Sequence, residues 1–394
     1  MKIELDFHIT EKLQHLLDVL DSAGGQPRFV GGMVRDAIIG TQNSDIDIAS
    51  KLVPTKVMEV LAKNKISCID TGSKYGTVTA LIGEDKAEIT TLRVDTECDG
   101  RHTNPIFTDD FAKDALRRDF TINAMSYCPF KKELYDYTNG YEDLIAGKMR
   151  FIGNAEERIA EDHLRILRFF RFSDRFAKDL DKASLAACIN MRDLLQKISK
   201  ECILQELNKM IISPSANKVF GQMIDAKIMA EIMPKAAFDL ELLQHMYMSE
   251  VLRYAALLHK TPADILRKLL RELKFSNANI KGIINLILFR QQNNDLSKAT
   301  LAELKNIFYP LWVDNIDLKP PLAISSAENN IYFADLLHII KSPPPIFPVN
   351  GDDILALGVT GKDIGITLAK LQRQWIVSEF ILSKAKLLEQ ILYL

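Results

Sequence analysis

A chain of 394 residues exceeds what one ordinary core accommodates, so several domains are expected, and 47% hydrophobic with 26% charged residues is a globular composition. The formal net charge of −2 argues against a uniformly basic, nucleic-acid-coating protein, yet residues 1–150 carry 19 Lys+Arg against 24 Asp+Glu while 151–300 carry 23 against 18. No run approaches 18 uninterrupted apolar residues, the N-terminal segment alternates without a signal peptide's apolar core, and Cys68, Cys98, Cys128, Cys188 and Cys202 are scattered without a C-x-x-C pair, so no membrane span, disulfide framework or structural zinc is expected and the expected location is cytoplasmic.

In chain order, the first 150 residues read as α+β. A helix is predicted over 11–23 and a strand over 28–30, followed by Phe29-Val-Gly-Gly-Met-Val-Arg-Asp36. Gly31 and Gly32 end the strand and open a helix at 33–39, a turn whose exposed amides and positive helix end suit a triphosphate. The next strand, 45–49, contains Asp45 and Asp47. Alternation sets both carboxylates on one face and turns Ile46 and Ile48 to the core. Two repelling carboxylates side by side fit a divalent cation between them, and hard oxygens suit Mg²⁺. Taken singly, an Asp-x-Asp is also a common solvated strand end and a Gly-Gly a common turn.

A helix over 55–63 and strands over 77–82 and 86–93 follow, with Glu88 open to two roles, a third carboxylate or an exposed strand residue. A helix is predicted over 111–125 and a strand over 133–137. The helix contains Arg117, Arg118 and Asn123, types suited to gripping phosphates and a ribose hydroxyl.

Beyond 154 the strand signal stops. Helices are predicted over 155–175, 182–196, 200–211, 216–223, 240–258, 261–273, 278–291 and 301–308, with Pro214, Pro234, Pro262 and Pro310 near their ends. In the first of these, Asp162, Arg165, Arg168 and Arg171 project over about half the circumference at 100° per residue, while apolar residues occur all round, as in a buried helix. Burying three arginines demands anions or acceptors, which either a nucleoside triphosphate or a network with Glu161 and Asp162 supplies. A Pro-rich connector at 343–348 precedes the C-terminal segment, where Gly358-Val-Thr-Gly361-Lys-Asp-Ile-Gly365 is either an RNA-backbone contact or a helix capped by Thr360.

The order Val-Gly-Gly-x-Val-Arg-Asp, Asp-x-Asp, Arg-Arg-Asp-Phe-Thr-x-Asn-Ala and Glu-Asp-x-x-Arg resembles the class II tRNA nucleotidyltransferases, the bacterial CCA-adding enzymes and their poly(A) polymerase relatives. The likeness covers the first 175 residues and extends more weakly to 198–210 and 348–375. It implies a nucleotidyltransferase head with a mixed β-sheet and flanking helices at 1–150, followed by an all-α neck at 151–212, body at 213–310 and tRNA-binding tail at 311–394. It further implies that Asp45 and Asp47 are the catalytic residues and hold two Mg²⁺ ions, and that CTP and ATP are the substrates and tRNA the acceptor. Gly31, Gly32, Arg35, Arg118 and Asn123 would contact triphosphate and sugar. Asp162 and Arg165 would inspect the base, and Arg168 and Arg171 would anchor phosphates.

Within the family, residues 93–102 resemble the loop of members that add the terminal A, which disfavours CC-only addition. Residues 301–394 hold 8 Lys+Arg against 10 Asp+Glu, unlike the basic extension of poly(A) polymerases, and no His-Asp dipeptide marks a phosphohydrolase domain. CCA addition is the expectation; poly(A) synthesis, A-only addition and a catalytically silent RNA-binding homologue are the alternatives. Oligomeric state is open.

Overall fold

The computed structural model describes all residues except 42–44, 97–103, 247–248, 294–295, 297, 314–320, 322–323, 326–330, 332, 341–342 and 394. The chain divides into two compact units, Met1–Pro234 and Lys235–Leu394. The first unit therefore takes in the expected head and neck together with the start of the expected body.

In the first unit, α1 (Glu11–Ser22) begins where the Thr10 hydroxyl accepts from Leu13 N, and it buries Leu13, Leu16, Leu17 and Leu20, the spacing of one helix face. There follow β1 (Arg28–Val30), α2 (Gly32–Ile38), β2 (Ile46–Ser50), α3 (Pro54–Lys63), β3 (Cys68–Gly72), β4 (Thr77–Ile82), β5 (Asp85–Thr91), β6 (Arg93–Thr96) and β7 (Asn104–Phe107). Then come α4 (Phe111–Leu116), β8 (Ser126–Cys128), β9 (Glu133–Tyr135) and α5 (Gly140–Ala146). Seven strands form one sheet in the order β3-β4-β5-β2-β1-β8-β9, and β6 and β7 form a separate ribbon. The sheet is mixed because β2 runs parallel to β5 while its other pairs are antiparallel. α1 and α3 pack on β4, and Val78, Ala80, Ala87 and Ile89 are buried there, alternating with the more polar Thr79, Lys86 and Glu88.

The all-helical remainder of the unit comprises α6 (Ala155–Glu161), α7 (Arg165–Phe176), α8 (Lys182–Asn190), α9 (Lys200–Ile211), α10 (Ala216–Asp225) and α11 (Ile228–Ile232). α7 packs on α9 and α10 and is buried on several sides through Ile166, Leu167, Phe169, Phe170 and Phe172.

The second unit is helical among its described residues. A cluster of Leu296, Leu304, Phe308 and Leu336 packs its middle, and a second cluster gathers Tyr309, Val349, Ile354, Leu371, Trp375, Ile376 and Leu387. Among the described residues no helix is long and apolar enough to cross a membrane.

Several elements depart from the sequence expectation. The helix expected over 111–125 ends at Leu116; Arg117–Asp119 form a turn, and only Thr121–Asn123 resume as one 3-10 turn. The Asp119 carboxylate accepts from Phe120 N at 2.8 Å and Asn123 Nδ2 at 3.2 Å, so a short polar side chain outcompetes the helical ladder. The helix expected over 155–175 breaks at Asp162, whose backbone is extended (φ −146°, ψ 103°) and whose Oδ1 accepts from Leu164 N at 3.0 Å. Asp162 therefore does not share a helix face with Arg165, Arg168 and Arg171. Asp45 precedes β2, and Ile46 is only half-buried while Ile48 is fully buried.

Strand β3 leaves no signal in the sequence because three of its five residues are exposed and no alternation shows; β8 is too short to show one. The segment expected as one helix over 240–258 forms Leu240–Gln244 and Glu250–Leu258, the latter capped by the Ser249 hydroxyl. Pro310 lies inside the helix Leu301–Val313 rather than at its end. The helix Lys362–Val377 is capped by Gly361 at φ 66°, not by Thr360. The loop expected within 93–102 begins in β6, and its residues 97–102 lie outside the described ones.

Candidate active site

A cavity of about 700 Å³ in the first unit is lined by all eleven expected site residues: Gly31, Gly32, Arg35, Asp45, Asp47, Arg118, Asn123, Asp162, Arg165, Arg168 and Arg171. Asp36, Arg117, Asp119, Phe172 and Arg175 complete its lining. Segments more than 110 residues apart in sequence thus meet around one space.

The glycine turn is dictated by conformation and crowding. Gly31 has φ 66° and ψ −130°, and a Cβ added there would sit 3.3 Å from Arg118 Nη1. Its own N–H is directed at Met125 O (3.4 Å), so the amides left for an anion are those of the first turn of α2, starting at Gly32. α2 has only seven residues, and its contribution is local amides more than a macrodipole.

Asp47 is half-buried and stands beside Glu88 of β5 in parallel register. Burial pushes its carboxyl up to about 6, helped by the charges of Glu88 and Asp45 and opposed by Arg118. A carboxylate held in that condition fits a cation as its partner. Among the described residues no three His, Cys, Asp or Glu side chains form a ligand cage. Two carboxylates suffice for Mg²⁺, whose shell is otherwise filled by water and phosphate oxygens.

A polar relay ties α2 to α7. The buried Arg35 guanidinium pairs with Asp36 (2.8 Å) and donates from Nη1 to Asn123 Oδ1 (2.6 Å). Asn123 Nδ2 donates to Asp119, which accepts from Arg168 Nε (2.8 Å) and pairs with its Nη2 (2.5 Å). Burial alone would raise the Asp119 carboxyl, but Arg168 and Asn123 hold it below the usual range, while burial lowers Arg35. Arg35 also lies over the Phe176 ring at 4.1 Å and Arg171 over Phe172 at 4.0 Å.

Each arginine named for phosphate or base contact has an acidic partner in this state: Arg118 with Asp114 (3.1 Å), Arg165 with Glu161 (2.8 Å), Arg168 with Asp119 and Arg171 with Glu206 (2.5 Å). Of the two sequence alternatives the salt-bridge network is present, with Glu161 in it and Asp119 and Glu206 in place of Asp162, and its arginines also line the cavity. Arg165 also donates to Arg117 O (3.1 Å) and Arg158 O (2.9 Å), which fixes its guanidinium between the turn after α4 and the end of α6. Asp162 spends Oδ1 on Leu164 N, leaving Oδ2 directed by that bond.

Sequence reasoning passed over Asp119, Asp36, Arg175 and Glu206. Arg175 continues the 165/168/171 series by four residues, a visible signal; Glu206 gives none, since its partner lies 35 residues away.

Residues 27–150 match the family model described as "Poly A polymerase head domain", and residues 179–240 the one described as "Probable RNA and SrmB-binding site of polymerase A". The fold and these matches define a nucleotidyltransferase. Human "CCA tRNA nucleotidyltransferase 1, mitochondrial" is 36% identical over 97% of this chain and 90% of its own length, and the CCA-adding enzyme of Lactobacillus helveticus is 32% identical over 93% and 92%. The chain belongs to this family, the CCA-adding tRNA nucleotidyltransferases. Its fold is similar to the crystal structure of the Bacillus stearothermophilus CCA-adding enzyme in complex with CTP, with a TM-score of 0.72, 24% identity and 94% of each chain covered. It is also similar to the Thermotoga maritima CCA-adding enzyme complexed with tRNA, with a TM-score of 0.68, 22% identity and 99% of each chain covered.

Proposed function

We propose that this protein adds CMP, CMP and AMP in turn to the 3′ end of tRNA, taking them from CTP and ATP and releasing pyrophosphate. The observation that carries it is the single cavity in which the carboxylates Asp45 and Asp47, the glycine turn and the Asp162/Arg165 pair meet. In each cycle the terminal 3′-hydroxyl oxygen bonds to the α-phosphorus, the bond from that phosphorus to the bridging oxygen breaks, and the hydroxyl proton is lost.

Asp45 and Asp47 would hold two Mg²⁺ ions, which supply Lewis acidity to the attacking hydroxyl and to the departing pyrophosphate. The first-turn amides of α2 and the Arg118 guanidinium receive the triphosphate. Asn123, pinned between Arg35 and Asp119, meets the sugar. Arg168 and Arg171 hold α7 in place through Asp119 and Glu206 and present positive charge to phosphate oxygens.

Asp162 and Arg165 would act as a template made of protein. The carboxylate accepts from the exocyclic amine common to cytosine and adenine, and the guanidinium donates to the adjacent ring nitrogen. Uracil and guanine offer the reverse pattern and leave both groups unpaired, the costly outcome for enclosed polar atoms. Fixing Arg165 through two backbone carbonyls keeps that comparison rigid. The chain's organisation is taken as a head at 1–150, a neck at 151–212, a body at 213–310 and a tail at 311–394 that grips tRNA. Free thiols at Cys68, Cys128, Cys188 and Cys202 agree with a reducing compartment, and we place the protein in the cytoplasm.

The test is incubation of purified protein with tRNA lacking CCA, labelled CTP and ATP, and Mg²⁺. Two cytidines then one adenosine is expected. An unlimited adenosine ladder would make it a poly(A) polymerase, and absence of incorporation at any Mg²⁺ concentration would make it a silent binder.

A further inference from the structure

Arg175, in the last turn of α7, lines the same cavity as the expected site residues. We propose that it receives the leaving pyrophosphate: its guanidinium exchanges Asp36 for the β- and γ-phosphate oxygens of the bound triphosphate and steadies their charge as the bond to the α-phosphorus breaks. The proposal rests on the nucleotidyl transfer argued above and adds a residue to it.

Helix geometry sets its position. At 100° per residue Arg168, Arg171 and Arg175 fall within about 60° of one another on α7, and the helix rises about 15 Å from Arg165 to Arg175. With Arg165 at the base, Arg175 stands at the other end of a bound triphosphate, beside α2. Asp36, which it approaches, lies about 6 Å of helix beyond Gly32, where the first-turn amides that receive phosphates begin.

Its present restraint is weak. Arg118, Arg165, Arg168 and Arg171 meet their carboxylates at 3.1 Å or less, whereas Arg175 Nη2 stands 3.5 Å from Asp36 Oδ2. Asp36 is already engaged by Arg35, whose Nε (2.9 Å) and Nη2 (2.8 Å) both meet Oδ1. One buried carboxylate thus faces two guanidinium groups, and positive charge is in excess. Burial lowers Arg35, and the charges of Arg175 and Arg171 lower it further. The Arg175 side chain is 57% exposed, so leaving Asp36 uncovers little, and phosphate oxygens offer the bidentate contact that Asp36 does not. As the 3′-oxygen bonds to the α-phosphorus, the electron pair of the breaking bond passes to the bridging oxygen and negative charge grows on the departing group. A guanidinium across its two phosphates stabilises that charge without giving or taking a proton.

Kinetics of the full chain in both directions tests this through Arg175→Ala and Arg175→Lys. In pyrophosphorolysis of tRNA ending in CCA, Arg175→Ala should raise KM for pyrophosphate about tenfold and Arg175→Lys about threefold or less. In equilibrium dialysis, Arg175→Ala should weaken CTP about tenfold and leave CMP within about twofold of wild type, with the preference for CTP over UTP and the acceptor KM also within about twofold. Pyrophosphate KM within about twofold of wild type in the alanine variant, equal losses in both variants, or CMP weakened in step with CTP would overturn the proposal while leaving nucleotide transfer standing. A wild-type protein that extends no tRNA would overturn both.

Discussion

In the unit Met1–Pro234 the buried charged residues include Arg35, Asp36, Asp114, Asp119, Asp143, Arg165 and Glu206; in Lys235–Leu394 the described ones are Arg253 and Lys305. Aromatic rings pack both units, Phe120 against Phe151 and Phe172 in the first and Trp375 against Tyr309, Phe347 and Phe380 in the second. Apolar packing holds a shape at little risk, whereas buried ion pairs return little net stability for their desolvation. Arg35, Asp36, Asp119 and Arg165 line one cavity, an arrangement suited to a polyanion, while Asp114, Asp143 and Glu206 stand outside its lining.

That contrast breaks first at the carboxylates. Asp45→Ala or Asp47→Ala should lower nucleotide incorporation by about a thousandfold or more, with tRNA binding in a filter assay nearly intact. Substantial turnover in either variant would remove the metal assignment. Next come paired substitutions of the two kinds of interior. Trp375→Ala should destabilise the second unit by about 3–5 kcal/mol in denaturant unfolding while nucleotide binding to the first unit persists. Asp119→Ala should cost a similar amount, about 3–5 kcal/mol, and also impair CTP binding, because Arg168 and Asn123 lose their common partner.

A subtler outcome concerns Arg165. Arg165→Ala should reduce the preference for CTP over UTP by about ten- to a hundredfold in kcat/KM, a larger effect than on triphosphate affinity. Unchanged rejection of UTP would refute the amino-acid template.

The site's strain should also be visible in the metal-free protein. Asp47 has a folded value of about 6 against an ordinary 3.8, so its penalty is absent below the lower value, grows as pH rises and is complete above about 6. Asp47→Asn should therefore raise Tm in EDTA increasingly between pH 4 and pH 7, by at most about 3 kcal/mol of stability. Mg²⁺ affinity of the wild type should strengthen across the same window as binding displaces the proton. A difference in Tm independent of pH would contradict the shifted carboxyl. Smallest of all, Glu379→Ala should cost under about 1 kcal/mol although it removes the partner of buried Lys305, since Glu379 is itself 67% exposed to screening water.

The sequence made the chemical parts of the first unit visible because they occur in tight runs. Gly31-Gly32, Asp45-x-Asp47 and the arginines after 161 each announce themselves within a few residues, and all reach the same cavity. The α+β head followed by helices was equally legible from the switch in periodicity near 154. Local geometry was not. Asp119 and Asp162 fall inside segments whose apolar spacing predicts helix, yet each uses its side chain to bond a nearby backbone amide and breaks the helix, a competition that apolar spacing cannot register. Likewise β3 is an exposed edge with a register shift between Ile69 and Gly72, and partners such as Arg171 and Glu206 meet only through the packing of α7 on α9.

The most direct test of a single cavity that handles cations at one end and a base at the other is a crystal structure with CTP and Mn²⁺. Anomalous density beside Asp45 and Asp47, with the cytosine edge within hydrogen-bond reach of Asp162 and Arg165, is the predicted result. Metal density elsewhere, or a base lying away from that pair, would contradict it.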